Sequence, residues 1–324
     1  MASAVDGFCR QVAESTATIP TACRCWGRGW CAAVAGILEA AAAKPGNVHP
    51  AAAFPDLSFP DLVAAAVAGW PAFDRASQRP LGETILDAVR AARAATPSNA
   101  NLGIVLLIAP LAAVPDGPAA RGVLTPAAVD DVLATASPAD AAAIWEAISL
   151  ARPGGLGRSD RWDVAGPPPV DIRVAMRHAA DRDTIARLWS TGYGELFAGP
   201  VADIVAALSA GLSLELGIVR AQLRQLARRP DSLIARRHGD AAAREVSGRA
   251  AALVAAEASP DWPAAVAGFD AFLRHPRRLN PGTTADLIAA ALYMLLWDGR
   301  LRPALPFPTP LVPQEPASLP TASP

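Results

Sequence analysis

Lysine is almost missing from this chain. One residue in 324, Lys44, carries an ammonium, and arginine supplies the other positive side chains. A GC-rich coding bias accounts for the replacement and makes the surviving lysine informative, because an ammonium and a guanidinium differ in shape, hydration and proton affinity. Aromatic residues are scarce at 6%, and β-branched runs are few, which disfavours a sheet-built core. A large excess of either charge is also lacking. A net charge of −1 gives no global basic field, so no nucleic-acid surface is expected. The most apolar stretch, Leu102 to Val114, is too short to span a bilayer and contains Pro110, so no membrane partner is expected. The N-terminus lacks the apolar h-region of a signal peptide, and a cytoplasmic location is the expectation. The four cysteines, Cys9, Cys23, Cys25 and Cys31, lie in the first tenth of the chain without a C-x-x-C pair or a nearby histidine. Neither a zinc site nor a disulfide framework is expected of them.

Familiar catalytic signatures are missing as well. There is no Walker A pattern, no G-x-G-x-x-G following a strand, no H-E-x-x-H and no G-x-S-x-G.

What is present is alanine-rich hydrophobicity. Hydrophobic residues make up 52% of the chain, and alanine, the best helix former, is much of that fraction. The expected fold class is all-α: a single multi-helix globular domain over 29–300, preceded by an N-terminal extension, 1–28, and followed by a disordered Pro- and Ser-rich tail, 301–324. Helices are expected from Trp30 to the break at Lys44-Pro45-Gly46, over Asp61–Ala68, Leu81–Ala95 and Leu102–Ala113, and as a pair within Thr125–Leu150. A polar loop should run to Pro169. Beyond it the pattern predicts helices over Asp171–Gly192, Val201–Arg228, Asp240–Ala256, Trp262–Leu273 and Thr283–Trp297.

Four loop-to-helix junctions suit phosphate. A helix N-terminus offers free N–H groups and the positive end of a dipole, and glycine lets backbone approach a ligand. The first junction is Glu39 to His49, with Lys44-Pro45-Gly46-Asn47. Lys44 either meets a phosphate as a point charge or simply complements the C-terminus of its own helix. The second is Ser98-Asn99-Ala100-Asn101-Leu102-Gly103, whose amides either cap the following helix or face a ligand. The third is Asp231-Ser232-Leu233-Ile234-Ala235-Arg236-Arg237-His238-Gly239. It reads as a capped, salt-bridged turn, or as a carboxylate for metal and an arginine for phosphate. The fourth is Asn280-Pro281-Gly282-Thr283-Thr284-Ala285-Asp286. Asp286 either complements the helix dipole or joins a metal–phosphate site. Asp183 and Arg187, four apart, read as an ordinary helix pair.

Taken in order, with Pro153-Gly154-Gly155-Leu156-Gly157 and Ala180-Asp181-Arg182-Asp183 between them, these stretches resemble the triphosphoribosyl-dephospho-CoA synthase family over roughly residues 30 to 300. The likeness is especially to its archaeal and one-carbon-metabolism branch. The resemblance implies a transferase. The 2′-hydroxyl of 3′-dephospho-CoA, or a related acceptor, attacks C1′ of the ATP ribose, adenine leaves, and the triphosphate stays on the transferred sugar. It also implies Mg²⁺ on the triphosphate, with Glu39, Asp231 and Asp286 as metal residues, and Asp286, Asp231 and Asp183 as base or catalytic residues. Substrate and phosphate would be held by Lys44, Gly46, Asn47, Asn99, Asn101, Gly103, Ser232, Arg236, Gly282, Thr283 and Thr284. Members making the citrate lyase precursor typically read Asn-Thr-His-Lys-Gly where this chain has Asn99-Ala100-Asn101-Leu102-Gly103, and His-Arg-Gly-Gly near Ala235-Arg236-Arg237-His238-Gly239. These departures leave open ribosyl transfer in another cofactor pathway, such as tetrahydromethanopterin synthesis, or a non-catalytic nucleotide-binding protein of the same fold.

Overall fold

A computed structural model describes residues 26–98, 100–116, 123–154 and 161–302. The expected N-terminal extension (but for its last residues), its first three cysteines and nearly all of the expected tail lie outside them. The described chain is a succession of helices: α1 (Arg28–Ala41), α2 (Phe59–Asp74), α3 (Leu81–Ala95), α4 (Leu102–Ala113), α5 (Pro126–Ala134), α6 (Pro138–Ala151), α7 (Ile172–Ala179), α8 (Thr184–Thr191), α9 (Ala202–Ser209), α10 (Leu214–Arg228), α11 (Ser232–His238), α12 (Asp240–Ala255), α13 (Trp262–Arg274) and α14 (Gly282–Trp297). Among the described residues there is no strand, only two isolated bridges in the loop after α1. The fold is all-α, as expected.

One helix organises the rest. From Leu287 to Trp297 every residue of α14 is buried. A helix that is apolar all round must be enclosed by others, and α14 packs against α1, α4, α10 and α11. The equally apolar α4 lies beside it, with Val105 to Ala112 buried and Pro110 accommodated inside the helix. Around these two, α3, α6 and α8 complete the larger core, while α10, α12 and α13 enclose a smaller one centred on Leu223, Leu226, Val246 and Leu273.

The helix starts are set by short polar side chains. Ser58 with Asp61 and Ser137 with Asp140 form capping boxes, each followed by proline in the first turn. The first of these makes α2 longer than its hydrophobic pattern predicts, beginning at Phe59 and continuing through Pro71 to Asp74. Two expected long helices are divided. The segment 171–192 breaks because Asp183 accepts from the N–H of Ala186 and starts α8 afresh. The segment 201–228 breaks at a turn after Ser209, and Ser213 caps α10. Residues 232–238, expected as a turn, form the short helix α11. No described helix is long and apolar enough to cross a membrane.

Candidate active site

The first turns of α4, α8 and α14 open onto one cleft of about 690 Å³, together with the last turns of α7 and α11. Of the expected site residues, Glu39, Asn47, Asn101, Gly103, Asp183, Arg236, Gly282, Thr283 and Asp286 line it. Asn99 lies outside the described residues. Lys44, Gly46, Asp231, Ser232 and Thr284 sit behind its wall.

Asp286 is an acid of the cleft whose carboxylate is unengaged. It is the fifth residue of α14, just past the first turn expected for it, partly exposed into the cleft, and makes no hydrogen bond or ion pair among the described residues. Burial pushes its carboxyl well above the usual carboxylate range, and the charges of Glu39 and Asp231 push the same way; Arg236 opposes them. Room for it is made by Gly103: a Cβ at that position would stand 2.0 Å from Oδ2 of Asp286. The small residue in the first turn of α4 thus has a steric reason.

Lys44 is corrected from its expected role. Its side chain is 0% exposed and turns back on its own helix, donating to the carbonyl oxygens of Glu39 and Ala42 and pairing with Oε1 of Glu39 at 2.8 Å. An ammonium so enclosed reaches no phosphate. It is the countercharge of Glu39, whose side chain borders the cleft.

Asp231 is likewise corrected. It is 2% exposed, and both its oxygens are occupied. Oδ1 accepts from the N–H groups of Leu233 and Ile234 at 2.9 and 3.1 Å; Oδ2 accepts from the N–H and the hydroxyl of Thr284 at 2.7 and 2.8 Å. One carboxylate therefore starts α11 and α14 together, and neither oxygen is left for a metal. Ser232 and Thr284 share this role. Ser232 donates to the Thr283 hydroxyl at 3.0 Å and accepts from the N–H of Thr184, which brings the start of α8 to the same point.

Asp183 and Arg236 do meet at the cleft, but as an ion pair with each other. The expected Asp183–Arg187 pair does not form, since Arg187 turns to Glu195. The loop carrying Asn47 is held from behind. Gln222 donates to Asn47 Oδ1 at 2.7 Å, Arg274 to the Asn47 carbonyl at 2.6 Å, and the Asn47 amide reaches Asn280 at 2.8 Å. Gly46 turns that loop at φ +75°, where a Cβ would also run into Leu273. Asn101 directs its amide to the Ala65 carbonyl at 3.3 Å.

Several lining residues were not singled out from the sequence. Trp145 and Trp162 form an apolar wall with Ile148 and Met176, and Arg237, Arg278 and Asn280 stand at the opening. Asn280, inside the fourth junction, and Arg237, inside the third, lay in stretches the sequence marks; isolated tryptophans and Arg278 look like core and surface until the fold brings them together.

Among the described residues, no three His, Cys, Asp or Glu side chains gather as a ready metal cage. The donor set nevertheless suits a cation brought in by phosphate: Glu39 and Asp286 stand close enough for the charge of one to disfavour ionisation of the other. Mg²⁺ is commonly held by one or two carboxylates plus substrate phosphates rather than by a protein cage.

Comparison with known proteins follows the same line. Among curated proteins none matches the chain. A solved structure from Archaeoglobus fulgidus, provisionally assigned as a triphosphoribosyl-dephospho-CoA synthase, shares 22% identity and superposes with a TM-score of 0.58 over 75% of this chain and 99% of that one, a likeness of fold. The family model for the CitG proteins, described as ATP:dephospho-CoA triphosphoribosyl transferase, matches residues 25–303. With that span covering nearly all of the described chain, the protein belongs to the CitG family of ATP:dephospho-CoA triphosphoribosyl transferases.

Proposed function

We propose that the cleft is where the family's ribosyl transfer takes place, with Asp286 as the residue that orients and deprotonates the acceptor hydroxyl. The observation carrying this reading is the placement of Asp286: a carboxylate facing the cleft, without a partner among the described residues, whose proton affinity burial raises above that of an ordinary carboxylate.

The donor's triphosphate would lie against the first turn of α14, where Thr283 offers a backbone N–H and a hydroxyl at the positive end of the helix dipole and Gly282 leaves room for backbone approach. Arg236 stands beside them, held in place by Asp183, and can fork onto phosphate oxygens. Glu39 is the carboxylate that would hold Mg²⁺ with the triphosphate, leaving Asp286 to the acceptor hydroxyl. When bound, the ion would neutralise the triphosphate and fix its path through the cleft. Lys44 keeps the Glu39 carboxylate in position from behind. Asn280, held by Asn47 through its Oδ1, presents its amide nitrogen for the sugar hydroxyls. Apolar walls at Trp145 and Trp162 limit access of water to the reacting C1′ carbon.

Incubation with ATP, Mg²⁺ and dephospho-CoA should release adenine in step with consumption of both substrates. Release of ADP or AMP in place of adenine, or no turnover, overturns the reading. A cytoplasmic setting, where ATP and the acceptor are both made, fits it.

A further inference from the structure

The charge of the cleft is divided. Glu39, Asp183 and Asp286 line it as buried or half-buried acids, while the exposed charged residues of its lining are mostly basic, Arg182, Arg237, Arg277 and Arg278, with Asp56 among them. Three of these arginines differ in how they are engaged. Arg277 is already committed, to Glu245 at 2.7 Å and to the face of Phe272. Arg237 and Arg278 are exposed, line the cleft, and have no acidic partner among the described residues. They come from separate segments, the end of α11 and the α13–α14 loop, and these segments are tied together by a hydrogen bond between His238 and the backbone of Arg278. Arg278 is held at φ +53°, a conformation that a non-glycine residue adopts rarely and that sets where its side chain leaves the chain. The guanidinium of Arg237 lies over Gly154, in the loop leading from Trp145 on α6 toward Trp162; a Cβ at Gly154 would come 2.5 Å from it. Desolvation lowers the proton affinity of His238, and Arg237 and Arg277 lower it further, which marks the opening as a place of positive potential.

Two unpaired guanidiniums beside a tryptophan-lined wall match a ligand with a diphosphate joined to an uncharged arm. We propose that Arg237 and Arg278 form an acceptor subsite that binds the diphosphate of dephospho-CoA, separate from the helix N-termini that receive the donor's triphosphate. The arm would follow the wall formed by Trp145 and Trp162. This inference rests on the transferase reading for its choice of acceptor. The arrangement also separates two polyphosphate substrates in one cleft: the donor enters where a cation is favoured, and the acceptor where bare arginines are.

The test is steady-state kinetics and calorimetry on Arg237→Ala and Arg278→Ala. Hydrogen bonds to charged groups contribute enough that each variant should raise the KM and Kd for dephospho-CoA about 10- to 100-fold. The KM for ATP and kcat should stay within about twofold, since neither arginine touches the donor in this assignment. The salt dependence of dephospho-CoA binding should also become shallower in each variant. An unchanged KM and Kd for dephospho-CoA would overturn the subsite, and so would a rise in the KM for ATP of equal size. A wild-type protein that binds dephospho-CoA but never releases adenine refutes the transferase reading alone. An active wild type whose variants handle both substrates normally refutes the subsite alone.

Discussion

Replacing Gly103 by alanine isolates the position of one carboxylate from the stability of the fold. The added Cβ would stand 2.0 Å from Oδ2 and 2.4 Å from Cγ of Asp286. Ordinary contacts of this kind are no closer than about 3.4 Å, so the carboxylate must retreat by about 1.4 Å. Because Asp286 has no partner among the described residues, its side chain can swing aside without breaking a hydrogen bond. The cost of overpacking, about 1–3 kcal/mol, is therefore at its low end, and alanine returns up to about 1 kcal/mol of helix propensity. Stability should change by less than about 2 kcal/mol in urea unfolding. Catalysis should suffer far more, because misplacing a reacting group by 1 Å can cost about 10²-fold in rate. The assay is adenine release under saturating ATP and dephospho-CoA, followed by chromatography. A control removes the obstacle: in an Asp286→Ala background, the Gly103 substitution should lower kcat no further, a strongly non-additive pair. A kcat within about threefold of wild type for Gly103→Ala alone would refute the assignment of Asp286, as would additive losses in the double variant.

Other expectations follow from the same wall of the cleft. Asp286→Asn should lower kcat by about 10²-fold or more. It should also raise stability at neutral pH. With a raised native proton affinity, the folded state holds a proton that the unfolded chain gives up, so the wild type loses stability as pH rises from the ordinary carboxylate range toward the native pKa. The melting-temperature gap between this variant and the wild type should widen over that window, and a gap independent of pH would contradict the buried-charge account. Asp231→Asn should act in the opposite sense, destabilising by about 3 kcal/mol, because an amide nitrogen cannot accept from Thr284 or the α11 N–H groups; unaltered urea unfolding would exclude this bracket. Lys44→Met should cost about 3–5 kcal/mol by leaving the Glu39 charge buried, and adding Glu39→Gln should recover part of it. If Lys44 instead bound phosphate, the single variant would raise the KM for ATP and leave unfolding unchanged.

Much of the fold is legible in the sequence because local signals and the fold agree. The starts of α5 and α6 are written as Thr-Pro and Ser-Pro, and the apolar runs of α4 and α14 announce helices with no solvent-facing side. The break before α8 is less visible, since apolar spacing continues across it and one side chain, Asp183, decides it. Within the site, the junctions themselves were found, but the direction of each side chain was not. Lys44 folds back five residues to Glu39, a choice set by the cavity it enters rather than by its neighbours in sequence. Asp231 was readable as a cap; that it caps a second helix more than fifty residues later depends on packing alone. Arg237 and Arg278 become meaningful only when α11 and the α13–α14 loop touch.

That double cap has a consequence for the order in which the protein is made. The residues that complete the cleft, from Asn280 to Asp286, belong to the last described helix and the loop before it, and α11 is held to them through Asp231 and Ser232. A chain emerging from the ribosome therefore carries Glu39 on α1, and the Asn47 loop after it, for most of synthesis without the helix that completes the cleft. Asp286 arrives together with the helix that closes the core, so assembly of the cleft and completion of the fold are the same event.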